Sequence, residues 1–332
     1  MRTTSPLLLL CLGALGACQR ADDAALLADL DRTPRVDQAR EGLERAHRAY
    51  AAGQARALTR ELLGVLQDPA TDEPARANAI ALADRAFAEG DGRLDTGFTL
   101  PAGMTWMRLT FQRADNDGAA SHLAILNGGL EAGVAIRDVS LTRSRDERVL
   151  ASKASDLGYF ETGGEGSNRY FYIHSSTAAF PLESGAYRLR WAYVDGRAGV
   201  ADVVVPTVQL DAGPEILAPG RGSTTEDTRP TFRWRLPGWV AERSYGQLLL
   251  DARVTALRPD GGGTDRWSMW EKGATRTEVT LGSATGSPAG ATLERGQPHR
   301  FAVQVQRRLQ YGDLQLEGAA RASRSFEVEP AR

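Results

Sequence analysis

The stretch Tyr187-Arg188-Leu189-Arg190-Trp191-Ala192-Tyr193, followed by Asp195-Gly196 and then Val200-Ala201-Asp202-Val203-Val204-Val205, decides the fold class. Tyr187, Leu189, Trp191 and Tyr193 fall at every second position, with Arg188 and Arg190 between them. That period of two lays one side of a strand on a core and turns the other to water. Asp195-Gly196 separates two such runs and predicts a hairpin of type I′ character. The alternation recurs upstream, where Met107, Leu109 and Phe111 interleave with Arg108 and Thr110. Further strands are predicted over 123–126, 134–141 and 170–173. Short strands, Gly-rich turns and almost no helical period across 98–206 read as an antiparallel β-sandwich.

The stretch 213–330 repeats this logic. Phe232, Trp234 and Leu236 share a face, with Arg233 and Arg235 opposite; strands are predicted over 248–257 and 265–270 around the turn 259–263. Val279 and Leu281 follow, then the alternating Phe301, Val303 and Val305, and finally Phe326 and Val328. A Pro-rich opening (Pro214 to Pro219), a core Trp234 and the corner Leu293-x-x-Gly296-x-x-x-x-Phe301 make this stretch resemble a fibronectin type III domain. The resemblance covers about a third of the chain, and immunoglobulin-like sandwiches share the pattern. Leu182-Glu183-Ser184-Gly185-Ala186-Tyr187 is a comparable corner upstream. The expectation is two tandem sandwiches joined near 207–211.

Residues 18–92 read differently. They are rich in Ala, Leu, Arg and Glu, with Leu43, Ala46, Ala49 and Tyr50 on one helical face and Leu58, Leu62, Leu63 and Leu66 on another. A third run follows Asp72-Glu73-Pro74, where Pro suits a first helical turn. Ala46-x-Arg48-Ala49-Tyr50-Ala51-x-Gly53 is echoed by Ala83-x-Arg85-Ala86-Phe87-Ala88-x-Gly90. The echo weakly resembles the first helix of a tetratricopeptide repeat. A plain antiparallel helical hairpin fits as well and is the preferred expectation. The predicted class is therefore mainly β with an N-terminal α-helical segment: a helical hairpin, then two sandwiches.

Residues 1–17 carry Arg2 and an apolar run over 7–15, the pattern of a secretory signal too short to span a bilayer. Leu15-Gly16-Ala17-Cys18 resembles the lipobox of bacterial lipoproteins. The resemblance implies cleavage before Cys18, lipid on its sulfur and a membrane anchor; Gln19 after it implies the outer membrane, facing the periplasm. Cys11 and Cys18 are the two cysteines, so the predicted mature chain has no thiol left for a disulfide, a nucleophile or a zinc site.

Charge and motifs exclude further classes. Forty basic against 42 acidic residues leave a net charge of −2, too balanced to draw the chain to nucleic acid. No window past residue 20 is apolar for ~20 residues, which excludes a multispan membrane protein. No nucleophile elbow, zinc-protease helix, phosphate loop or dinucleotide fingerprint is present, and no catalytic residue, cofactor or metal is expected. His174 beside Ser175 and Ser176 is no dyad, because strand neighbours point to opposite faces. Asp115-Asn116-Asp117-Gly118 lacks the outer ligands of a calcium loop and reads as a surface turn. Thr162 to Ser167 reads as a flexible hairpin loop.

Aromatic rings are the binding candidates. Trp239, in the Pro237-Gly238-Trp239 turn, is expected to be partly solvated. Trp267 and Trp270 stand three apart in a strand, so one is expected in the core and the other exposed. The functional expectation is a non-catalytic envelope lipoprotein that holds a protein partner, with carbohydrate or peptidoglycan binding as the alternative.

Overall fold

The computed structural model describes residues 38–165, 169–175, 183–207, 212–242, 245–260 and 262–330. The expected signal and Cys18 lie outside the described residues, as do Ser176, Leu182, the end of the 162–167 loop and the 208–211 part of the expected joint.

Three helices open the described chain, one more than a hairpin: α1 (residues 38–51), α2 (Ala55–Gln67) and α3 (Glu73–Glu89). Leu58, Leu62, Val65 and Leu66 recur on one face of α2 and are all buried. Asp72 caps α3 by accepting the Ala75 N–H at 2.8 Å, and Pro74 sits in the first turn as expected. The buried Arg76 donates to the carbonyls of Leu66 (3.0 Å), Asp68 and Thr71, satisfying acceptors at the end of α2 and in the turn that follows it.

The chain then forms β1 (Arg93–Leu94), β2 (Met104–Asn116), β3 (Ala119–Leu130), β4 (Ile136–Arg143), β5 (Arg148–Ser152), β6 (Tyr159–Gly163), β7 (Arg169–His174), β8 (Gly185–Tyr193) and β9 (Ala198–Val205). A four-stranded sheet, β5-β4-β8-β9, packs against β2-β3-β7-β6. Val203, Val204 and Val205 are all buried, because helices cover one side of β9 and the facing sheet the other. The helical layer is thus part of the first sandwich's core.

One turn departs from expectation. Between β8 and β9, Gly196 takes a positive φ (93°) while Asp195 does not, and the Gly196 N–H donates to the Tyr193 carbonyl. This is a type I turn closed by a left-handed Gly, not type I′. The type I′ hairpin lies at Asp117-Gly118, where both residues have positive φ (52° and 91°).

The second sandwich comprises β10 (Glu215–Ala218), β11 (Ser223–Thr225), β12 (Thr231–Arg235), the one-turn α4 (Trp239–Glu242), β13 (Gln247–Leu257), β14 (Gly263–Lys272), β15 (Glu278–Thr280), β16 (Pro298–Tyr311) and β17 (Leu314–Val328). The sheet β10-β12-β15 covers β14-β13-β16-β17. Phe232 stacks on Phe301 with centroids 4.2 Å apart, and Trp234, Trp267 and Phe326 complete the core.

The joint between the sandwiches is a sheet. β17 pairs in parallel with β2, Leu314 opposite Met107 through Ser323 opposite Asn116. One sheet therefore runs β14-β13-β16-β17-β2-β3-β7-β6 through both halves, with β1 and β11 adding parallel pairs. The β16–β17 hairpin is longer than the second sandwich needs. Leu309, Tyr311, Leu314 and Leu316 at its tip are buried in the core of the first, against the helices. Asp117 fastens the crossing: its N–H donates to the Ser323 carbonyl, and its carboxylate accepts the Ser325 N–H at 3.1 Å.

Candidate functional site

Alternation along β13, β16 and β17 sends Val254, Phe301, Val303, Val305 and Ala320 inward. The intervening residues face out. Register places Trp270, Asp251, Gln304 and Arg321 in one row across four strands. Asp251, Arg253, Ala302, Gln304, Gln306 and Arg321 line a depression of about 200 Å³ on this outer face.

Its electrostatics are uneven. Arg253 is held by Asp265 at 3.0 Å, and Asp251 lies 3.8 Å from Arg253. The side chains of Arg321, Gln304 and Gln306 have no hydrogen-bond partner among the described residues. Burial pushes the Asp251 carboxyl above its ordinary value and the Arg321 guanidinium below its own. Arg253 and Arg300 lower Arg321 further, against the opposing pull of Asp251 and Asp265. The depression thus offers desolvated donors and acceptors with unused bonding capacity.

The three tryptophans singled out from the sequence fare differently. Trp267 is 1% exposed in the core, and Trp270 is 52% exposed on the outer face, so the parity argument for this pair holds. Trp239 is a correction: it is only 7% exposed, not partly solvated. It opens α4, which folds the ring inward; its indole N–H donates to the Ala212 carbonyl at 2.9 Å. The Arg307 guanidinium covers its ring at 5.4 Å, leaving no open face for a ligand.

A second group of rings occupies the other end of the same face. Tyr159 and Trp106 are 48% and 40% exposed, with Tyr170, Tyr172 and His174 half-buried beside them. Tyr159 and Tyr170 donate to the Glu161 carboxylate at 2.9 and 2.7 Å, and His174 stacks on Tyr159 at 5.3 Å. Trp106 and Tyr170 lie over glycines: a Cβ on Gly129 would meet the indole at 2.3 Å, and one on Gly163 the Tyr170 hydroxyl at 2.5 Å. Sequence reading missed this group. Its signal was the alternation Tyr170, Tyr172, His174, with glycine as the cross-strand partner of Tyr170 on both neighbouring strands.

The remaining candidates have structural partners. His174 Nδ1 sits 2.6 Å from the Ser175 carbonyl, while the buried Ser175 Oγ accepts the Ala124 N–H at 3.0 Å, so the two side chains form no base–nucleophile pair. Asp115 accepts the Gly118 N–H at 2.8 Å and binds Arg324 at 3.1 Å. Among the described residues no group of three His, Cys, Asp or Glu side chains is placed to hold a metal.

No family model matches the sequence, and no curated protein matches it. Solved structures do. Fibronectin(III)-like modules of Clostridium thermocellum CbhA align at 12% identity over 70% of this chain and 95% of that one, with a TM-score of 0.22. The N-terminal Ig1-2 module of the Drosophila receptor protein tyrosine phosphatase DLAR aligns at 9% identity over 68% and 99%, with a TM-score of 0.29. The chain is built of two β-sandwiches behind a helical segment. Likeness of this degree identifies neither a family nor a ligand.

Proposed function

We propose that this protein is a non-catalytic binding lipoprotein, anchored through Cys18 to the periplasmic side of the outer membrane, whose ligand is a glycan of the envelope. One observation carries the reading: an exposed Trp270 shares a sheet face with a polar depression in which Arg321, Gln304 and Gln306 have no hydrogen-bond partner among the described residues. Sugars offer ring faces for stacking and hydroxyls for exactly such donor and acceptor sets. The protein-scaffold expectation drew on the helices and on sheet edges; the apolar faces of the helices are buried in the first sandwich, and no large exposed hydrophobic side chain lies on a described helix. A protein partner keeps support at the opposite end, where Trp106 and Tyr159 are residue types that anchor interfaces and β6 is a sheet edge.

Crosslinking in intact cells followed by recovery of the lipidated form tests the ligand; glycan strands are expected, and protein alone would refute the glycan reading. Cys18→Ala is expected to leave unprocessed precursor and abolish outer-membrane fractionation. Normal processing and sorting of that variant would remove the anchor from the account.

A further inference from the structure

Arg321 is a half-buried guanidinium with no hydrogen-bond acceptor among the described residues. It stands on β17, opposite Gln304 on β16, which in turn stands opposite Asp251 on β13. Guanidinium N–H groups taken partly out of water need acceptors, and a carboxylate satisfies two at once. The nearby Asp251 is not placed to do so: no ion pair within 4.0 Å joins it to Arg321, and it lies 3.8 Å from Arg253 instead. Arg253, Arg300 and Arg321 stand here against Asp251 and Asp265, three positive charges against two. A carboxylate arriving there is attracted, although the whole chain is nearly neutral.

The other end of the row has opposite needs. Trp270, directly across from Asp251, presents an open indole face, and Asp251 accepts hydrogen bonds from hydroxyls. Trp270 and Arg321 are three strand spacings apart, or ~14 Å. A single sugar ring cannot reach both, whereas a short oligosaccharide can.

Resting on the glycan-binding reading above, we infer that this depression selects an acidic saccharide, one ring stacked on Trp270 and a carboxylate bound by Arg321, with Gln304 and Gln306 on the hydroxyls between them.

The test uses the full lipidated chain in detergent, titrated with trigalacturonate and with its methyl ester, which keeps the rings and removes the charge. The acid is expected to bind about tenfold or more tightly than the ester, as suits a charge-assisted contact. Arg321→Gln is expected to erase that difference, Arg321→Lys to retain part of it, and Trp270→Ala to weaken acid and ester alike. An unchanged thermal midpoint in Arg321→Gln excludes misfolding as the cause. Equal affinity for acid and ester, or a preference that survives Arg321→Gln, overturns the inference. So does equal binding of an acidic peptide, which would make the site a general carboxylate trap. Binding of both sugars that is lost with Tyr159→Ala and kept with Trp270→Ala would overturn it too, yet leave the glycan-binding reading standing.

Discussion

His299 shows how far one residue can be read in isolation. Along β16 it looks like a polar interruption before Phe301, yet it is fully buried and stacks on Phe326 at 5.7 Å. Burial, above all, pushes its imidazole below the ordinary value near 6.5. Both folded and unfolded states are neutral above that value. As pH falls through it, the unfolded chain takes the proton first, so this residue withdraws stability until the lower folded value is reached. The thermal midpoint should therefore fall more between pH 7 and pH 5 in the wild type than in His299→Leu; parallel pH profiles would contradict the assignment. Parity in a strand made Trp267 and Trp270 legible at this scale. Trp239 was not legible, because the turn that holds it becomes α4 and acquires partners in Ala212 and Arg307 that lie far away in sequence.

Among the elements, the β16–β17 hairpin departs most from its sequence signal. Alternation marked Phe301 to Val305 at one end and Phe326 to Val328 at the other. Between them Gly318-Ala319-Ala320-Arg321-Ala322-Ser323 carries few β-formers, and small residues there fit where the strand is paired on both sides and packed on its inner face. The turn is Gly312-Asp313, with Gly312 at φ 57° and Asp313 at negative φ, a type II′ geometry. A Cβ on Gly312 would stand 2.4 Å from the Phe98 carbonyl oxygen. Gly312→Ala is expected to cost about 2 kcal/mol or more in urea unfolding, from left-handed strain together with that clash. A midpoint equal to the wild type would show that the hairpin tip is not held as described.

In the whole molecule, the second sandwich supplies part of the first one's core. β17 is the neighbour of β2, and Leu309, Tyr311, Leu314 and Leu316 pack among the helices. A fragment of residues 38–207 would expose the edge of β2 and leave those core positions empty. It is expected to give a collapsed, undispersed amide spectrum, while the intact chain unfolds in one denaturant transition. A folded fragment, or two separate transitions, would mean that the sandwiches are independent. The sequence by itself determined many of the strands, the sandwich class and the inward or outward parity of runs such as Tyr187 to Tyr193 and Phe301 to Val305, because these follow from near-neighbour periodicity. Tertiary structure alone decided that the two sandwiches share a sheet, that the helices serve the core, and that Trp270 and Arg321 stand in one row. Register between strands distant in the chain is fixed by packing and hydrogen bonding, which no local pattern encodes.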